Sequence, residues 1–251
     1  MFSFVMIFLF YSCFTLKQNG DLYHINNMKE VYENNPNNPY PNQNFVFLNK
    51  TLYELKTGEL VNISSASGIV VKRKGKTLYG LTAAHWCIPI NDNEFITFAM
   101  LMGYKSPEAA KNATTLTADY YGYTYNIEVL DVDNENDICM FKFKSRFANQ
   151  SENIDLADGY PLLGEKVHTI SSPFGIKGPT IRLHFEGYFS GCQDNSCYYT
   201  LPGTFGSSGS GILNENGELI GILTVSVVDF NTVTGGARLE DIKAIIDNNL
   251  D

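Results

Sequence analysis

Three segments carry side chains of the types from which nucleophilic catalysis is assembled: a hydroxyl, an imidazole and a carboxylate. The run Gly203-Thr204-Phe205-Gly206-Ser207-Ser208-Gly209-Ser210-Gly211 leads directly into the strand-like Ile212-Leu213. Glycine lets backbone amides come close to a bound group, so a serine in the middle of such a loop can present Oγ beside converging N–H groups. In Leu81-Thr82-Ala83-Ala84-His85-Trp86-Cys87 a strand runs into small residues and then a histidine, which leaves room around the imidazole. In Asn136-Asp137-Ile138-Cys139-Met140-Phe141 an acid heads an apolar strand, where a carboxylate must find hydrogen-bond donors. Taken singly, each segment has a commoner explanation: a flexible Gly/Ser loop, a structural histidine and a strand-edge aspartate.

The elements that must position these residues are short strands. From Phe45 onward, β-branched and aromatic runs alternate with Gly, Asn and Asp, as in Ser67-Gly68-Ile69-Val70-Val71, Thr77 to Thr82, Asp137 to Phe143, Val167 to Ile170 and Leu219 to Thr224. Many short strands without alternating helices predict an all-β sandwich or barrel. Pro107 to Lys111 predicts a helical turn inside a loop. Leu239, Ile242, Ile245, Ile246 and Leu250 fall at helical spacing and predict a terminal helix over 239–250.

The N-terminal region reads differently. Residues 1–16 are almost wholly apolar and fit a signal peptide, with a signal-anchor as the alternative. Residues 17–44 end in a stretch rich in Pro and Asn that holds neither helix nor central strand, and they read as a linker or pro-segment. If the leader is a signal, the mature protein is secreted or extracytoplasmic and disulfides are permitted; if it is kept as an anchor, a membrane becomes a partner.

The chain has 251 residues and a formal net charge of −9. That balance, with no basic run, argues against nucleic acid as a partner. Setting Cys13 aside with the leader leaves Cys87, Cys139, Cys192 and Cys197, which allow three pairings. Cys192 and Cys197 bracket Gln193-Asp194-Asn195-Ser196, so a hairpin-closing disulfide is easy there; two reduced, buried thiols are the other reading.

Over roughly residues 60 to 250 the sequence resembles the trypsin-like serine peptidases. The segments Ser67-Gly68-Ile69-Val70-Val71 and Thr82-Ala83-Ala84-His85 look like the strand pair that ends on the family's histidine. Gly164 to Val167, Ser172-Pro173-Phe174-Gly175 and Glu186 to Gly191 are similar to the opening of the second barrel in the high-temperature-requirement stress proteases. Gly206-Ser207-Ser208-Gly209-Ser210 and Gly236 to Ile246 resemble the nucleophile loop and the closing strand and helix of glutamyl endopeptidases.

The resemblance implies two six-stranded antiparallel β-barrels, about 45–150 and 160–238, closed by a C-terminal helix at 239–250, and one peptidase domain over 45–250. It also implies a serine endopeptidase acting on protein or peptide through an acyl-enzyme. Ser208 would be the nucleophile, His85 its base and Asp137 the orienting acid, with the amides of Gly206 and Ser208 as the oxyanion hole and no metal or cofactor. The order His, Asp, Ser separates this from the α/β-hydrolases, which run Ser, acid, His.

Departures from the family carry their own expectations. Ser207 replaces the aspartate that pairs with a freshly cut amino terminus in digestive zymogens, and no cysteine stands in the family's usual place upstream of His85; against that pattern Cys139 is suggested as the partner of Cys87 instead. By resemblance Pro202, Gly203 and Thr204 on one side, and Leu223, Thr224, Val225 and Ser226 on the other, surround the S1 pocket. Neither stretch carries an acid, and Leu223 stands where glutamyl enzymes place a histidine, so the expected preference is for small or medium apolar residues. The alternative from another class is a barrel pair that has lost catalysis and kept a peptide-binding groove.

Overall fold

The chain from Asn42 onward folds as antiparallel β-structure. The computed structural model describes residues 42–53, 55, 57–88, 100, 102–177, 183–226 and 232–250; the apolar leader and almost all of the Asn/Pro-rich segment lie outside them. The first sheet is built from β1 (Phe45–Tyr53), β2 (Leu60–Lys74), β3 (Thr77–Ala83), β4 (Thr114–Tyr120), β5 (Tyr123–Asn126), β6 (Glu128–Asp133) and β7 (Ile138–Lys144), in the order β5-β4-β1-β2-β3-β7-β6. The second is built from β8 (Lys166–Ser171), β9 (Leu183–Gln193), β10 (Ser196–Tyr199), β11 (Gly211–Asn214), β12 (Leu219–Ser226) and β13 (Thr234–Ala237), and it closes into a barrel in the order β10-β13-β12-β11-β8-β9.

The expected chymotrypsin-like architecture is therefore present, with one difference in strand count. The second unit is the six-stranded barrel, whereas the first is a curled sheet of seven strands. The added strand β5 comes from a tight hairpin: Tyr120 pairs with Tyr123 across Tyr121 and Gly122, whose φ values of 51° and 74° fit the left-handed turns that match strand twist.

Each unit has its own core. Val46, Leu48, Val70, Leu78, Phe141 and Phe143 fill the first, and Val167, Phe189, Tyr199, Leu201, Ile212 and Ile220 fill the second. A third cluster joins them: Ile69, Leu81, Ile138 and Met140 of the first sheet pack on Leu213, Leu219 and Ile222 of the barrel. Burying this seam fixes the two units against each other, so residues at its edge hold defined relative positions.

Helix α1 (Ala84–Cys87) follows β3 directly, α2 (Pro107–Asn112) occupies the expected loop, and α3 (Leu239–Leu250) ends the described chain. Ile242 and Ile245 of α3 are buried in the seam cluster and Leu239 in the barrel core, as its spacing requires. Tyr160 Oη accepts from Leu239 N (2.8 Å) and donates to Glu240 Oε2 (2.7 Å), which anchors the first turn of α3. The Asn/Pro-rich segment gives way to folded chain slightly before residue 45: Asn42–Asn44 form a 3-10 turn, and buried Asn44 donates through Nδ2 to Val70 O and Glu152 O, both at 2.6 Å.

Candidate active site

His85 sits in the single turn α1 at the end of β3, and Asp137 stands at the head of β7, which pairs with β3 so that Ala83 faces Ile138. That register brings the two side chains together across a sequence gap of 52 residues: His85 Nδ1 lies 2.7 Å from Asp137 Oδ2, and His85 N donates to Asp137 Oδ1 at 2.8 Å. Ala84 N donates to Asp137 O at 3.1 Å, so one aspartate binds the turn through both carboxylate oxygens and its carbonyl. Asp137 has φ 54°, a left-handed conformation that aspartate tolerates better than most residues. The preceding turn delivers it there. Burial works against the Asp133 charge, but hydrogen bonds from the Asn136 side chain and from Asn136 N and Glu135 N hold its carboxyl below the ordinary value and tighten the turn. The His85 side chain is 49% exposed and that of Asp137 26%, so the imidazole opens to solvent on its outer side.

Ser208 lies in the loop between β10 and β11, pressed against the segment that leads into His85. Ser208 O accepts from Ser67 N at 2.9 Å. A Cβ on Gly209 would stand 2.0 Å from Thr82 Oγ1 and 2.9 Å from Ala83 N, two residues before His85, so only glycine permits this approach. Among the described residues no hydrogen bond joins Ser208 Oγ to the imidazole. Such bonds are often long in enzymes without substrate.

The backbone of the loop is more telling. Ser207 N donates to Thr204 O (2.9 Å), Gly209 N to Leu223 O (2.7 Å) and Ser210 N to Ser207 O (3.2 Å). Among the described residues, the amides of Gly206 and Ser208 find no acceptor, and they are the two expected to line an oxyanion hole. Two unspent N–H groups on either side of the satisfied Ser207 N are a ready site for developing negative charge.

The residues expected at the S1 pocket divide. Gly203 meets the opposite wall closely, for a Cβ there would lie 3.5 Å from Ser226 Cβ and 2.3 Å from Thr234 Cγ2. Pro202, Thr204, Thr224 and Ser226 are half-buried, and Val225 is 54% exposed. Leu223 is more deeply buried than these, its side chain packed in the barrel core with Ile212, Ile220 and Tyr199. A β-bulge between Leu223 and Val225 in the pairing with β13 parts the direction of buried Leu223 from that of exposed Val225.

Both candidate disulfides are formed. Cys192 and Cys197 face each other across the β9–β10 hairpin, and Cys87 joins Cys139. The bond resolves the two readings left open for Cys192 and Cys197.

Four contributors were not legible in the sequence. Ser67, fully buried on β2, bonds to Gly206 and Ser172; Phe174 N holds Phe205 O; Thr234 stands against Gly203; and buried Lys50 donates to Ile88 O (2.7 Å) just beyond α1, with Nζ 5.8 Å from the centre of the Trp86 ring. Nothing in the residue types marked Ser67 or Lys50 out, since β1 and β2 carry other polar residues such as Asn49, Thr51, Ser64 and Ser65. Among the described residues no three His, Cys, Asp or Glu side chains are grouped to hold a metal ion.

A closed β-barrel packed on a curled β-sheet, with a His–Asp pair and a glycine-framed serine loop meeting at the seam, defines the chymotrypsin-like class. The family model of the trypsin-like peptidase domain matches residues 66–222, and the chain belongs to that family. That span runs from β2 into β12 and includes His85, Asp137 and Ser208. No match to an individual curated protein was found.

Proposed function

We propose that this protein is a serine endopeptidase that cleaves protein or peptide substrates through an acyl-enzyme on Ser208. Ser208 Oγ attacks the scissile carbonyl while His85 Nε2 takes its proton; the tetrahedral oxyanion forms against the amides of Gly206 and Ser208. His85 then gives the proton to the leaving amine, the C–N bond breaks, and water repeats the sequence to release the acid. Asp137, bound to Nδ1, keeps Nε2 facing the serine and stabilises the imidazolium. The observation that carries this reading is the conjunction of the His85–Asp137 hydrogen bond with two unspent amides flanking Ser207.

The walls around Gly203, Ser226 and Thr234 bear no charge, which supports cleavage after small or medium apolar residues. The two disulfides support work in an oxidising compartment outside the cytosol.

Labelling with a fluorophosphonate and mapping the adduct tests the reading. The expected adduct is on Ser208 and disappears in His85→Ala. No labelling of folded protein, either as the full chain or after removal of the residues before Asn42, would instead identify a peptide-binding module.

A further inference from the structure

A peptide plane points its N–H and C=O in opposite directions, so a carbonyl that is held fixes the direction of the amide sharing its plane. The planes that carry the two oxyanion amides are held in this way. Phe205 O accepts from Phe174 N at 2.6 Å, which turns Gly206 N–H away from Phe174. Ser207 O accepts from Ser210 Oγ at 2.8 Å, which turns Ser208 N–H outward. Between them Gly206 O accepts from Ser67 Oγ at 2.8 Å.

The Ser67 hydroxyl also accepts from Ser172 N at 3.0 Å, two residues before the Phe174 that holds Phe205 O. It thus grips the loop at Gly206 directly and through the 172–175 turn beneath it. Gly206 has φ 89°, and a Cβ there would lie 2.4 Å from Ser172 O, so the loop depends on a glycine that is free to rotate unless its neighbours restrain it. Ser67 belongs to the first sheet, Gly206 and Ser172 to the second unit. Its side chain is a fully buried link across the seam, and its backbone N (to Ser208 O, 2.9 Å) and O (from Thr82 Oγ1, 2.8 Å) are spent at the same place.

We infer that Ser67 is a positioning residue for the peptidase reaction: its hydroxyl, donating to Gly206 O and accepting from Ser172 N, holds the oxyanion amides in their working direction before substrate arrives. It does so without a charged amino terminus, since Ser207 has no carboxylate to pair with one. The inference rests on the peptidase reading given above.

The test compares wild type with Ser67→Ala, counting active sites by fluorophosphonate titration. The expected result is a kcat per titrated site lower by roughly tenfold to hundredfold, less than the loss on removing an oxyanion donor outright. KM is unchanged, and affinity for a peptidyl boronic acid falls in parallel with kcat while affinity for the cleaved product stays level. A purely structural defect would reduce the titrated fraction and the melting temperature but not the rate per site, and that outcome overturns the inference. If Ser67→Ala does not fold, Ser67→Cys, close in size and a poor donor, takes its place and must show the same split between kcat and KM. A folded variant within twofold of wild type in kcat and in boronate affinity also overturns it. A wild type that gives no Ser208 adduct refutes the peptidase reading itself, whereas a labelled wild type with unaffected variants removes Ser67 alone.

Discussion

Cys87 and Cys139 stand two residues beyond His85 and Asp137 respectively, and the disulfide between them, with Cα atoms 6.4 Å apart, ties together the same two segments that the His85–Asp137 hydrogen bond joins. The imidazole and its carboxylate are held by a covalent link on one side and by the β3–β7 ladder on the other. The sequence separation of 52 residues makes this the bond with the larger effect on the unfolded chain: loop entropy gives about 4 kcal/mol, against about 2 kcal/mol for the separation of 5 at Cys192–Cys197. Denaturant titration of Cys87→Ala/Cys139→Ala should show the larger loss together with a fall in kcat, whereas Cys192→Ala/Cys197→Ala should lose stability and keep its rate per site.

Replacing Ser208 or His85 by Ala, or Asp137 by Asn, should each lower kcat by about ten-thousand-fold or more, and double variants should fall little further because the three act as one unit. Ser207→Ala and Ser210→Ala should stay far above that level. Steady-state kinetics on a peptide amide distinguishes the cases. Equal losses at Ser208 and Ser210 would refute the choice of nucleophile.

Peptide-library profiling should return small or medium apolar residues at P1, and a profile dominated by Arg, Lys or Glu would refute the proposed S1 assignment. Thr234→Val is a second check. Thr234 Oγ1 is buried without a partner among the described residues, so the isosteric change should raise stability by about 1 kcal/mol and preserve the apolar preference.

Buried Lys50 has its pKa pushed down by desolvation from 10.5 to about 8. Between these values the unfolded chain binds more protons at this residue than the native one, so its contribution to stability rises with pH across that window. The difference in melting temperature between wild type and Lys50→Met should therefore shift in favour of wild type as pH climbs from about 8 to 10.5. A difference that is flat in pH would show that Lys50 titrates normally.

Activation should not depend on a new amino terminus. Cutting before Asn42, which spares the buried Asn44, and then acetylating the exposed amine should leave active-site titration unchanged. Loss of titration on acetylation would refute this.

Much of the fold was legible in the chain because it is encoded locally. The terminal helix needs only its apolar spacing, the Cys192–Cys197 hairpin only its turn, and the nucleophile loop only the glycines around Ser208. What tertiary structure alone decided depends on contacts between distant segments. The His85–Asp137 pair follows from the β3–β7 register, and the Ser67 link to Gly206 spans 139 residues. Leu223 packs into the barrel core with Ile212 and Tyr199, and the amides of Gly206 and Ser208 meet no acceptor among the described residues while Ser207 N and Gly209 N bond to Thr204 O and Leu223 O. Residue types and spacing set which chemistry the chain could carry. The direction of each donor was set by packing across the seam, where a one-residue change of register would alter every partner.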